Sequence, residues 1–137
     1  MTMRDEEFLK AVESCTLPNT AFHHRDHVRL AWIYVSRFGY QAGSERMAAS
    51  IRRYAAHHGA TAKYHETITR AWMDLVQHAL TNANPPANFD AFLATNATLA
   101  DPHALNAYYS PELLASPAAR QEWVPPDLRS LPSKPAM

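Results

Sequence analysis

Apolar residues recur at steps of three and four along most of the chain, and no segment alternates convincingly with period two. The first spacing marks helices with one buried face; the second would mark half-buried strands. Phe8, Leu9, Val12 and Cys15 define a first helix over about 3–15, which Leu17-Pro18-Asn19-Thr20 breaks. A second helix is expected from about His24 to Phe38. Asp26 favours its first turn, and Gly39 suits a left-handed stop. A third runs from about Gln41 to His57 or His58, with Met47, Ile51, Tyr54 and Ala55 as its stripe and Gly59 at its end. A fourth begins between Thr61 and Glu66 and continues to about Asn82. It places Ile68, Ala71, Trp72, Leu75, Val76 and Ala79 on one face, and Asn84-Pro85-Pro86 stops it.

Beyond that point the elements shorten. Asn88 can cap a helix containing Phe89, Phe92 and Leu93. Ser110-Pro111 and Ser116-Pro117 each set a capping serine before a proline at the first helical position, which predicts two short helices. The stretch from Trp123 to Met137 holds four of the ten prolines and reads as a tail, extended from about residue 124, with Trp123, Leu128 and Leu131 packing back on the body. The pattern as a whole predicts an all-α fold: a four-helix bundle core, short C-terminal helices and an extended C-terminal tail in a single domain over 1–137.

Composition narrows the class. At 137 residues, 47% apolar and 19% charged, the chain is long enough for one buried core. Lys+Arg and Asp+Glu both number 13. This balance argues against a nucleic-acid partner or a polybasic membrane surface. The longest apolar run, Leu30 to Val35, is far too short to span a bilayer. Met1-Thr2-Met3-Arg4-Asp5-Glu6-Glu7 has no apolar leader pattern, so a cytoplasmic location is expected. One cysteine, Cys15, excludes an internal disulfide framework.

The eight histidines carry the chemistry. In the second helix the stripe 24, 27, 31, 34, 38 turns His24 and His27 inward and His23 outward. The stripe of the fourth helix, extended backwards, reaches His65 with Glu66 at its flank. That of the third reaches His58 and leaves His57 outside. Short connections make neighbouring helices antiparallel. His24, His27, His58 and His65 would then meet at one end of the bundle, with Glu66 and Tyr64 beside them and Cys15 at the margin. Burying imidazoles without partners costs roughly 1–3 kcal/mol each. A divalent metal would satisfy several together. Three neutral nitrogens with an open position suit zinc, and imidazole also suits iron or copper. Glu66 could be a further ligand or an acid/base group, less so if Arg70, four residues on, pairs with it. Tyr34 and Tyr54, deeper on the inner faces, could orient a substrate or donate a proton.

The alternative for the same histidines is a hydrogen-bonded core network without metal. His58 could equally be a helix-terminal dipole partner. His23, His57, His78 and His103 read as surface residues. Arg25, Arg29, Arg37, Arg52 and Arg53 read as solvated faces, and Cys15 as a small core hydrophobe. His65-Glu66-Thr67-Ile68-Thr69 opens like H-E-x-x-H but lacks its second histidine. His24-Arg25-Asp26-His27 lacks the adjacent His-Asp pair of the HD phosphohydrolases.

Phe22-His23-His24-Arg25-Asp26-His27 and Tyr64-His65-Glu66-Thr67-Ile68-Thr69, with the stretch from Tyr109 to Arg129, resemble a bacterial family of small all-helical proteins bearing F-x-H-R-x-H and Y-H-E-T-x-T motifs. The resemblance covers nearly the whole chain. It implies Phe22, His24, Arg25, His27, Tyr64, His65, Glu66, Thr67 and Thr69 as site positions, and no particular reaction. The layout is also similar to DinB-type metal-binding bundles, a likeness of arrangement only. The expectation is therefore a small metal-dependent enzyme of hydrolase or lyase/isomerase type. His24, His27, His65 and His58 would hold the metal, and Glu66, Tyr34 and Tyr54 would act on a small-molecule substrate. A non-enzymatic metal- or small-ligand-binding protein, or a subunit of a larger complex, is the alternative. A homodimer is compatible with either.

Overall fold

A computed structural model describes residues 4–81 and 88–132. Every regular element among them is helical, so the all-α class holds. No helix among the described residues is long and apolar enough to cross a membrane. The chain divides into two compact units, Met1–Tyr64 and His65–Met137. Three of the four expected long helices fall in the first unit and the fourth in the second. The Asn84-Pro85-Pro86 stop and the end of the tail lie outside the described residues.

In the first unit, α1 (Asp5–Glu13) packs on α2 (His24–His57). The expected second and third helices are both present as arms of α2, separated at Gly39 alone. Gly39 has φ 82° and ψ 177°, a region open essentially only to glycine. The chain therefore turns back on itself without an intervening loop. The return is close. A Cβ on Gly43 would sit 2.8 Å from the carbonyl oxygen of Tyr34, so the arms meet where one side chain is missing. Ser44 and Ser50 continue the buried small-residue side of the second arm.

Both long elements end in the same way. The Gly59 N–H bonds to the Ala56 carbonyl, and the Ala60 N–H to that of Ala55, with Gly59 at φ 67°. At the end of α1, the Cys15 N–H bonds to the Val12 carbonyl and the Thr16 N–H to that of Ala11, with Cys15 at φ 62°. Both are Schellman closures. The second uses a cysteine where glycine is the usual residue, and closes the helix just ahead of the predicted break at Leu17-Pro18-Asn19-Thr20. Cys15 is buried, as a small core side chain.

Arg29 departs from expectation. It is 7% exposed, not on a solvated face. Its Nε and Nη2 donate to Asp5 Oδ1 at 3.1 and 2.8 Å, and its guanidinium lies 4.7 Å from the Phe8 ring centroid. Arg29 thereby fastens the start of α1 to α2, and Arg37 adds an ion pair to Glu6 in the same turn. Near the other end of α1, the Tyr34 hydroxyl donates to Glu13 Oε2 at 2.6 Å and shares a 2.6 Å hydrogen bond with Ser50.

In the second unit, α3 (Glu66–Thr81) packs on α6 (Pro117–Gln121) and on the 3₁₀ turn Ala104–Ala107. The three predicted caps are present. Asn88 Oδ1 accepts from the Ala91 N–H at the start of α4 (Phe89–Thr95). Ser110 and Ser116 accept from the Leu113 and Ala119 N–H groups at the starts of α5 (Pro111–Leu114) and α6. Along the tail, Leu131 is buried and Trp123 stands edge-on to Tyr109 at 6.4 Å. Leu128 does not pack: its side chain is 58% exposed, and only its N–H is held, by the Tyr108 carbonyl.

Candidate functional site

The first unit contains a cavity of about 300 Å³ at the end of the α2 hairpin away from Gly39. Antiparallel arms bring the start of the first arm and the finish of the second to the same place. His27 lines the cavity from one and His58 from the other. The Schellman closure at Gly59 sets His58 as the last residue before the chain leaves the helix. The following 3₁₀ turn, Thr61–Lys63, then delivers Lys63 and Tyr64 to the same wall.

The aromatic rings form a chain. His27 stacks on Phe22 at 4.2 Å and 18°, Phe22 meets Tyr54 edge-on at 4.9 Å, and Tyr54 lies 4.4 Å from His58. The Tyr54 hydroxyl is turned away from proton-transfer duty. It donates to the Leu17 carbonyl at 2.6 Å, tying α2 to the segment after α1. Burial pushes its pKa up, as does nearby Cys15. Tyr34 does not line this cavity. Its hydroxyl is spent on Glu13 and Ser50, and burial followed by the Glu13 carboxylate raises its pKa strongly.

The two imidazoles of the cavity are chemically open. His27 is held neutral. Burial is the main cause, neighbouring His24 adds to it, Asp26 opposes it, and the pKa falls to about 4. His58 Nε2 is buried and has no hydrogen-bond partner among the described residues. Nothing acidic lines the cavity, and its one cationic side chain, Lys63, is exposed and makes no ion pair among the described residues. Asn19 and Lys63 were not candidates from periodicity. Both lie in three-residue 3₁₀ turns, Asn19–Ala21 and Thr61–Lys63, too short to carry a helical stripe.

His65 belongs to the second unit and is committed there. The Ile68 N–H donates to its Nδ1 at 3.1 Å, and its own Nε2–H donates to the Leu114 carbonyl at 2.7 Å. The Thr69 N–H bonds to the His65 carbonyl, so His65 is the N-cap of α3 and links that helix to the end of α5. Desolvation lowers its pKa, consistent with a ring that must stay neutral to accept at Nδ1. The remainder of the Y-H-E-T-x-T stretch is equally engaged. Glu66 is buried and accepts from Arg70 Nε at 2.8 Å, the pairing that argues against a base. Thr67 Oγ1 donates to the Glu122 carbonyl and accepts from the Val124 N–H, and Thr69 Oγ1 donates to the His65 carbonyl.

His24 is half-buried and does not line the cavity. His23, His57 and His103 are exposed as expected, whereas His78 is half-buried. Among the described residues no group of three or more His, Cys, Asp or Glu side chains is placed to hold a metal ion. Of the four candidate ligands, the structure brings His27 and His58 to one cavity. In comparisons with known proteins, no family model, curated protein or solved structure matches the chain.

Proposed function

We propose that the protein binds a small molecule in the first-unit cavity, with His27 and His58 as its polar contacts. The observation that carries this is His58 Nε2, a buried polar atom left without a partner at the wall of a cavity. Leaving such a group unmet costs roughly 1–3 kcal/mol, which a ligand hydrogen bond would recover. A few polar groups set among aromatic walls are the usual composition of a small-ligand site. The low pKa of His27 supports binding over general-base chemistry, because an imidazole near 4 is a weak base at neutral pH. The test is titration of the intact protein with a small-molecule library, following the imidazole resonances of His27 and His58. Ligands are expected to move both. If no compound moves either ring, the reading fails.

A second reading keeps the metal. Two imidazoles with available nitrogen at one cavity are half of a zinc-type ligand set, and substrate or water could supply the rest. This reading carries with it the four-helix bundle, in which α3 would bring His65 and Glu66 to the histidines of α2. His65 would then have to give up its bond to Ile68 or to Leu114. Zinc, iron or copper would serve a hydrolase or lyase/isomerase reaction on a small molecule. Elemental analysis and zinc titration test it: near-stoichiometric metal, weakened at least tenfold by His27→Ala and by His58→Ala, is the expected result. Metal-free protein indifferent to all three ions would remove it.

A further inference from the structure

The charge and shape of the cavity point to a ligand class, an inference that rests on the small-molecule reading above. No carboxylate lines the cavity, two imidazoles do, and Lys63 stands at the wall without an ion pair among the described residues. A cationic ligand would find no countercharge there. An anion finds one, together with an imidazole nitrogen in want of a partner. One ammonium matches one negative charge. The rest of the wall is apolar or aromatic: Ile51, Ala55 and Ala60, with Phe22, Tyr54 and Tyr64 presenting rings. Rings favour flat bodies that lie against a face or an edge. The volume, about 300 Å³, is at the lower end for small-ligand sites and excludes large conjugates.

We propose that the cavity takes a small aromatic or conjugated carboxylate, its flat body against the rings of Phe22 and Tyr54 and its charge shared between Lys63 and His58. In this arrangement the His58 Nε2–H donates to one carboxylate oxygen and the Lys63 ammonium neutralises the group. Such charge-assisted hydrogen bonds are about twice as strong as neutral ones. Neutral His27 flanks the body without adding a second positive charge, which keeps the site selective for monoanions.

Three isosteric probes separate charge from shape: benzoate, benzamide and benzamidinium. Each is titrated into the full chain, with the His27 and His58 imidazole resonances as the readout and thermal shift alongside. Benzoate is expected to bind at the two rings, at least tenfold more tightly than benzamide, with no saturable shift from benzamidinium. Lys63→Gln, at an exposed position, is expected to leave the melting temperature within 1–2 °C and to weaken benzoate about fivefold or more while leaving benzamide unchanged. Equal affinity for benzoate and benzamide, or benzoate binding indifferent to Lys63→Gln, would overturn the anion assignment and leave the small-molecule reading standing. Absence of any ring response to all three probes would overturn the assignment too, and a silent wider library would then sink the underlying reading as well.

Discussion

His58 and His65 both sit at helix ends, and their surroundings have opposite character. His65 begins α3 with both ring nitrogens bonded, one to the Ile68 N–H and one to the Leu114 carbonyl. His58 ends α2 with a buried Nε2 that meets nothing among the described residues. One ring is used up by folding; the other is left over by it. Inward-facing position alone therefore does not mark a functional histidine. What distinguishes His58 is an account of hydrogen bonds that fails to close beside a cavity.

The largest expected effect concerns acid. His27 and His65 both have lowered pKa values in the folded protein, so the unfolded chain binds more protons as pH falls below the ordinary imidazole value near 6.5. Their contribution to stability is whole above that pH and is lost as pH falls towards the folded values. For His27, the fall from 6.5 to about 4 corresponds to something on the order of 3 kcal/mol. Urea unfolding between pH 7 and 4 should show this loss, and His27→Gln should flatten it. An unchanged pH slope in that variant would show that the ring is not desolvated.

Next comes the committed histidine. His65→Ala removes a cap and orphans two backbone groups, for a loss of about 2–3 kcal/mol by chemical denaturation. His65→Asn can still cap and should recover part of it. The contrast with His58 would break if His65→Ala cost less than about 0.5 kcal/mol.

Gly43→Ala tests the hairpin that brings His27 and His58 together. The new methyl would press on the Tyr34 backbone, which cannot swing aside, and the expected cost is about 1–3 kcal/mol. Ligand-induced shifts at His27 and His58 should weaken together in this variant. The smallest loss is expected for His58→Phe. It removes the unmet buried nitrogen, so stability should hold or rise by up to about 1–3 kcal/mol, while ligand binding reported by the His27 ring is lost. A loss as large as that of His65→Ala would mean that His58 is structural after all.

Much of the helical framework could be seen in one dimension. Gly39 and Gly59 ended the arms where positive φ was needed, and Asn88, Ser110 and Ser116 capped the helices they precede. The break after α1 was legible in Leu17-Pro18-Asn19-Thr20, but not the means of closure, because Cys15 adopts the left-handed conformation without being glycine. The burial of Arg29 escaped for a different reason: its partner Asp5 is 24 positions away, and charge alone suggests solvent. The inward stripes correctly brought His27 and His58 to one end of the α2 hairpin. They could not reveal that His65 had a carbonyl waiting 49 residues downstream.

The amino-acid order by itself determined helical class, helix limits and caps. These depend on contacts three or four residues apart, which any local stretch of chain carries within it. Tertiary structure alone decided that His65 finds the Leu114 carbonyl and that His27 and His58 meet at one cavity. Those outcomes hang on encounters between segments far apart in sequence. Hydrogen bonds are short and directional, so a partner's presence within 3 Å can be known only once the chain has folded.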